Sequence, residues 1–193
     1  NNKNDPVLEF AYQGPTLKYF GKKRNIVITG DVNFSISNKT NIKDNCECYK
    51  AIQINDGDTI NILSTNKSVY GYFSVTGGFK LNKVWNSYST TSRALVGPNN
   101  GCKLLNGQEI MLNKSNLSSS RKVNYINSKI EFIRVIKGTN IDHFSKQSVK
   151  NFFEKSFIVT KLTDRMGMRL EGNKLKNIKN ANIKSEGLVK GTI

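Results

Sequence analysis

The sequence predicts a mainly β protein, a barrel or sandwich of short strands, with one helix in its second half. Apolar and polar residues alternate in many short runs, and Gly, Pro, Asn and Asp punctuate these runs roughly every 8–12 residues. Only one stretch, Asp142 to Phe157, carries helical spacing instead.

In chain order, Val7–Tyr12 alternates up to the Gly14-Pro15 turn, and a second strand begins at Thr16. Asn25–Thr29 is a short apolar strand ended by Gly30-Asp31, and Phe34-Ser35-Ile36 continues the pattern. The stretch from Ser37 to Cys46 is polar and without period. Tyr49–Ile54 and Thr59–Leu63 flank the Asn55-Asp56-Gly57-Asp58 turn. Val69–Val75, aromatic and β-branched, ends in Thr76-Gly77-Gly78, where two glycines permit a sharp corner or a close backbone approach.

Residues 79–110 are almost all turn chemistry, with Ser87, Ser89, Thr90 and Arg93 in a hydroxyl-rich loop that suits a site better than packing. Residues 113–127 are rich in Ser, Asn and Lys and divide a first subdomain, 1–112, from a second, 128–193. In the second, Ile130–Ile136 reads as a strand closed by Lys137-Gly138. The helix follows, with Ser145 as its N-cap and Val149, Phe152 and Phe153 on one face. Strand structure resumes at Ile158.

Bulk properties narrow the function. The chain has 193 residues and a net charge of +16, but its 30 basic residues are spread singly or in pairs, and only six are Arg. That scatter argues against a nucleic-acid surface. In a chain that uses Lys by default, Arg93, Arg134, Arg165 and Arg169 mark places that call for a planar, bidentate donor. No run approaches the ~20 apolar residues of a membrane span. Cys46, Cys48 and Cys102, with the single His143, form no zinc spacing, and His143 reads as structural. An odd cysteine count without a leader fits free thiols in a reducing cytoplasm. Because it opens at Asn1 and stops at Ile193, the chain reads as a piece of something longer.

The most informative stretch is Thr163–Ile193. Met166, Met168 and Leu170 alternate with Arg165, Gly167 and Arg169, so the period predicts one strand with both guanidiniums on the same face. Asp164 precedes them, and Ser185-Glu186-Gly187 forms a second polar cluster. Paired guanidinium forks suit a carboxylate, a carboxyphosphate or an amide oxygen.

The residues DRMGMRLEG, from Asp164 to Gly172, followed by SEGLVKGTI, from Ser185 to Ile193, resemble the signature of the carboxyltransferase-like family called allophanate hydrolase subunit 2. Val75-Thr76-Gly77-Gly78, Ser87, Ser89-Thr90, Arg93, Gly97, Gly101 and Gly107 also match its glycine-rich loop. Arg134, Gly138 and Phe144 fall in matching places. Departures occur at Tyr88, where the family usually has arginine, at Asn86, where it has glycine, and at Gln108, where it has an acid. The resemblance covers nearly the whole chain, and a further C-terminal segment of the family is missing from the sequence.

That resemblance implies two cyclophilin-like β-barrel subdomains, the second incomplete. It implies a cytoplasmic subunit of an ATP-dependent 5-oxoprolinase, working with an allophanate hydrolase subunit 1-like partner and a lactam-utilisation subunit. ATP would be bound by the complex. The alternatives are a carboxyltransferase domain of the urea carboxylase type, which would use biotin, and a regulatory antagonist of a kinase inhibitor. On this reading Arg165 and Arg169 bind an oxyanion or carboxylate, and Glu186 transfers a proton or orients an arginine. Ser89, Thr90, Arg93, Gly77, Gly78 and Asp164 contact substrate, with Arg93 and Arg165 expected to address it together. No metal is expected.

Overall fold

A computed structural model describes residues 5–38, 40–43, 46–115, 122–124, 132–179, 187, 191 and 192. The chain divides into two compact units, Asn1–Asn127 and Ser128–Ile193. The described residues are mainly β, with antiparallel pairing throughout and one α-helix, in the second unit.

The first unit holds eight described strands: β1 (Leu8–Ala11), β2 (Thr16–Lys18), β3 (Arg24–Thr29), β4 (Val32–Ser37), β5 (Ile42–Lys43), β6 (Ile52–Ile54), β7 (Thr59–Thr65) and β8 (Tyr70–Val75). They form two four-stranded sheets, in the orders β1-β8-β3-β6 and β2-β7-β4-β5. Neither sheet closes on itself among the described residues. Period-two alternation selects the inward faces: Val32, Phe34 and Ile36 of β4, Ile60 and Ile62 of β7, and Phe73 and Val75 of β8 are buried. With Phe10, Ile26, Ile28 and Ile54 these residues make one hydrophobic cluster drawn from both sheets. Each such side chain stabilises the unit by about 1.5–3 kcal/mol relative to exposure.

Two local features depart from the sequence reading. The predicted strand at 49–54 begins only at Ile52, because Tyr49 adopts a left-handed backbone with φ of 62°. Its hydroxyl accepts from the Gly30 N–H at 3.0 Å, which ties this kink to the β3–β4 turn. The polar stretch 37–46 contains β5, a two-residue strand too short to show a period. Val123, in the stretch read as a linker, donates its N–H to the Tyr49 carbonyl.

The second unit contains α1 (Lys146–Glu154) and a hairpin of β9 (Ile158–Asp164) and β10 (Gly167–Glu171). Ser145 caps the helix by accepting from the Ser148 N–H, as the sequence predicts. The buried Ser148 hydroxyl in turn donates to the Lys176 carbonyl and accepts from the Lys176 N–H, fixing the following segment against the helix start. Phe152 packs its ring against Phe153 and Phe157.

The predicted strand at 130–136 is not formed at residues 132–136, while 130 and 131 lie outside the described residues. Phe132, Ile133 and Ile136 are exposed there. Alternation supplies a strand's side-chain pattern, but a strand also needs a neighbour to complete its ladder, and no described strand pairs with this segment.

Gly71 on β8 offers a test of the first unit's packing. A Cβ there would lie 2.4 Å from the Phe10 ring and 2.9 Å from Val32. Gly71→Ala is expected to cost about 1–3 kcal/mol in urea melts, and Phe10→Leu in the same chain should recover part of that loss by vacating ring volume.

Candidate functional site

The Gly77-Gly78 corner is built by β3 and β8. These strands pair with Ile26 opposite Val75, and Thr76 donates both its N–H and its hydroxyl to the Asn25 carbonyl at 2.9 Å. The chain then turns through Gly77 and Gly78, with φ of 87° and 70°, a conformation that suits glycine. Gly78 N–H closes the turn on the Val75 carbonyl at 2.9 Å.

Every carbonyl from Thr76 to Phe79 meets a donor from elsewhere in the unit. Arg24 Nη1 donates to Thr76 at 2.6 Å, and Asn113 Nδ2 donates to both Gly77 and Phe79 at 3.1 Å. The Asn113 N–H donates to Gly78 at 3.2 Å, and Arg24 Nη2 reaches the Asn113 carbonyl at 2.6 Å, closing the ring of bonds. Sequence reasoning found the glycines and missed the clamp. Arg24 carried the same signal as the other arginines of this Lys-rich chain, whereas Asn113 opened the polar stretch read as a linker and gave none.

The hydroxyl-rich loop is a series of tight turns. Val84 and Ser87 exchange two backbone hydrogen bonds at 3.0 Å around Trp85 and Asn86, with φ of 48° and 60°. Asn86 stands where the resemblance expects glycine, and asparagine is among the side chains that best tolerate this conformation. Ser89 donates its N–H to the Ser87 hydroxyl, Thr90 Oγ1 donates to the Pro98 carbonyl, and Lys83 Nζ lies 5.3 Å from the centre of the Tyr88 ring. Arg93 is exposed in the turn closed by Thr91 and Val96.

Gln108 braces this loop from its far end. Its Nε2 donates to Asn99 Oδ1 at 2.6 Å and its Oε1 accepts from the Leu105 N–H at 3.0 Å. Asn99 in turn donates to the carbonyls of Cys102 and Lys103. A carboxylate at 108 could accept but not donate, so the amide at this departure from the family pattern has a structural use.

In the second unit the structure corrects the expected strand. β10 begins at Gly167, and Arg165 and Met166 form the two-residue turn between Asp164 and Gly167, which pair across the hairpin. The Asp164 carboxylate accepts from the Met166 N–H at 2.8 Å, and that local bond takes Arg165 out of the period-two run. Arg169 lies on β10 where the register shifts between Met168 and Leu170. Arg165 and Arg169 therefore belong to the tip and the irregular strand of one hairpin and do not share a regular sheet face. All of β10 is exposed, Met168 and Leu170 included. Glu186 lies outside the described residues.

An open groove of about 550 Å³ in the first unit is lined in part by Asp31, Glu47, Cys48, Asn66 and Lys122, and by none of the residues proposed from sequence. Its carboxylates are engaged internally. Hydrogen bonds from Lys122 and Lys50 hold Glu47 below the usual carboxylate range, at 3.2 and 3.3 Å. Asp31 accepts from Asn66 Nδ2 and the Lys67 N–H. Burial pushes the Cys48 thiol up, and it donates to the Val32 carbonyl, so it is a poor nucleophile. Among the described residues no cluster of His, Cys, Asp and Glu could hold a metal ion, and no helix is long and apolar enough to cross a membrane.

Known proteins place this geometry. Over 176 residues and 91% of this chain, the C-type 5-oxoprolinase subunit of Haemophilus influenzae is 27% identical. The chain spans 55% of that relative's length. The urea amidolyase of Lachancea kluyveri is 28% identical over 193 residues, which is 10% of that protein. Among solved structures, the urea carboxylase of Kluyveromyces lactis superposes with a TM-score of 0.73 at 23% identity, covering 93% of this chain and 17% of the other. TTHA0988 superposes with a TM-score of 0.71 at 22% identity over 91% of this chain and 63% of its own. A family model described as carboxyltransferase domain, subdomain A and B, matches residues 1–193, and the chain belongs to that family.

Proposed function

We propose that the chain is part of an ATP-dependent 5-oxoprolinase, which opens the lactam of 5-oxoproline to give glutamate together with partner subunits. The observation that carries this reading is the 27% identity to the H. influenzae 5-oxoprolinase subunit over 91% of the chain. The Escherichia coli protein of the same name, 24% identical over 139 residues, supports it. The partners are a protein like allophanate hydrolase subunit 1 and a lactam-utilisation subunit. ATP is bound by that assembly, in the cytoplasm.

Opening an amide develops negative charge on the carbonyl oxygen, and donors fixed before the reaction stabilise that charge best. We assign Arg165, at the hairpin tip, and Arg169, on the adjoining strand, to that oxygen or to the substrate carboxylate. Asp164 shapes the tip through its bond to the Met166 N–H. Ser89, Thr90, Arg93 and the Gly77-Gly78 corner supply further contacts to substrate, and Glu186 orients an arginine.

A second reading is carboxyl transfer from carboxybiotin to an amide-type nitrogen. The urea amidolyases of L. kluyveri and Saccharomyces cerevisiae favour it, at 28% and 26% identity over 91% of the chain. Co-purifying the full-length chain with its partner subunits separates the two. Glutamate release from 5-oxoproline, dependent on ATP, supports the first reading. Biotin-dependent carboxylation of urea with no glutamate overturns it in favour of the second.

In the assembled enzyme, Arg165→Lys and Arg169→Lys should fold normally and lose roughly 10²–10³ in kcat, because lysine keeps the charge without the bidentate fork. Unchanged turnover with unchanged melting curves would remove both residues from the site. The 193-residue chain alone is expected to release no glutamate from 5-oxoproline and to carboxylate no urea, which a coupled glutamate assay and a bicarbonate-incorporation assay check directly.

A further inference from the structure

We propose that Arg24 is a positioning residue, whose guanidinium fork, acting with Asn113, sets the backbone corner at Gly77-Gly78 that meets an acceptor oxygen of the substrate. The inference rests on the preceding reading of that corner as part of the site. Three observations carry it.

The fork spans two segments far apart in sequence. Arg24 at the start of β3 donates to Thr76, which follows β8, and to Asn113, which follows the whole 79–112 loop, at 2.6 Å each. A planar, charged fork does this with little loss of freedom on binding, and hydrogen bonds from an ionised donor are about twice as strong as neutral ones. A lysine could reach one carbonyl at a time.

The clamp also decides which way the corner faces. With the carbonyls of Thr76, Gly77, Gly78 and Phe79 all turned toward Arg24 or Asn113, the corner directs its acceptors into the protein. What it can turn toward a ligand is the donor side of the peptide plane, which suits an amide oxygen gaining negative charge or a carboxylate.

Finally, Gly77 and Gly78 hold φ of 87° and 70°, and the corner packs closely, since a Cβ on Gly77 would lie 2.7 Å from Ser115 and 3.2 Å from Arg24 Nη1. Without the fork, a two-glycine turn has many other conformations available. Arg24 thus acts on the substrate through the backbone, without touching it.

The test uses the full-length chain assembled with its partner subunits, in three forms: wild type, Arg24→Ala and Arg24→Lys. Steady-state kinetics are paired with amide spectra of the ¹⁵N-labelled full-length chain. Arg24→Ala should move the Gly77 and Gly78 amide resonances and lower kcat about 100-fold, the scale expected for a site displaced by about 1 Å, while KM stays near the wild-type value. Low-millimolar guanidinium should return both the resonances and the rate, which a merely structural arginine would not show. Arg24→Lys should fall between, and it decides the matter if Arg24→Ala does not fold. Unmoved glycine resonances, or a wild-type kcat in Arg24→Lys with the resonances displaced, overturn the positioning role while leaving the functional reading intact. A wild-type assembly with no turnover overturns the functional reading itself, and this role with it.

Discussion

The first unit depends on how closely its buried faces approach one another around Phe10. The ring fills the space that a side chain would occupy at Gly71, on the neighbouring strand β8, where Val32 of the other sheet also arrives. Ile62 fills the corresponding space at Gly14. Interiors pack at crystal-like density, so these glycines set the spacing between β1, β8 and the second sheet. Strand β8 is central to its sheet, between β1 and β3. Its far end, and with it the start of the Thr76–Phe79 corner, is therefore held in place by core packing before any polar group acts.

Polar contacts then complete what packing begins. The corner beyond Val75 is closed by Arg24 and Asn113, and the loop that separates it from Asn113 is closed on itself by Asn99, Gln108 and a succession of left-handed turns. Such a loop carries little apolar surface of its own and is ordered by hydrogen bonds to its own backbone. The division of labour suits a binding surface: a rigid apolar sheet fixes the base, and polar braces fix the shape above it.

The second unit is organised differently. Its helix has a satisfied cap and a buried serine that fastens residue 176, but its hairpin exposes Val159, Leu162, Met168 and Leu170. A two-stranded hairpin in water is marginal by itself. The chain covers 55% of the length of its H. influenzae relative, so the second unit is best regarded together with whatever further polypeptide its relatives carry.

Sequence alone determined the β class, the position of most strands in the first unit, the Gly-Gly corner, the turn-rich loop and the capped helix. Each of these follows from a local rule: side-chain period two, positive φ at glycine, or a serine that satisfies a helix terminus. Tertiary structure decided the rest, because the deciding partner is remote or is a competing local bond. Arg24 becomes a clamp only when folding brings Thr76 and Asn113 to it, 52 and 89 residues away. Residues 132–136 carry a strand's pattern but lack a described neighbour to pair with. Arg165 leaves the expected strand because the Asp164 carboxylate bonds the Met166 N–H, and a turn formed by a side chain overrides a period shared by only five residues.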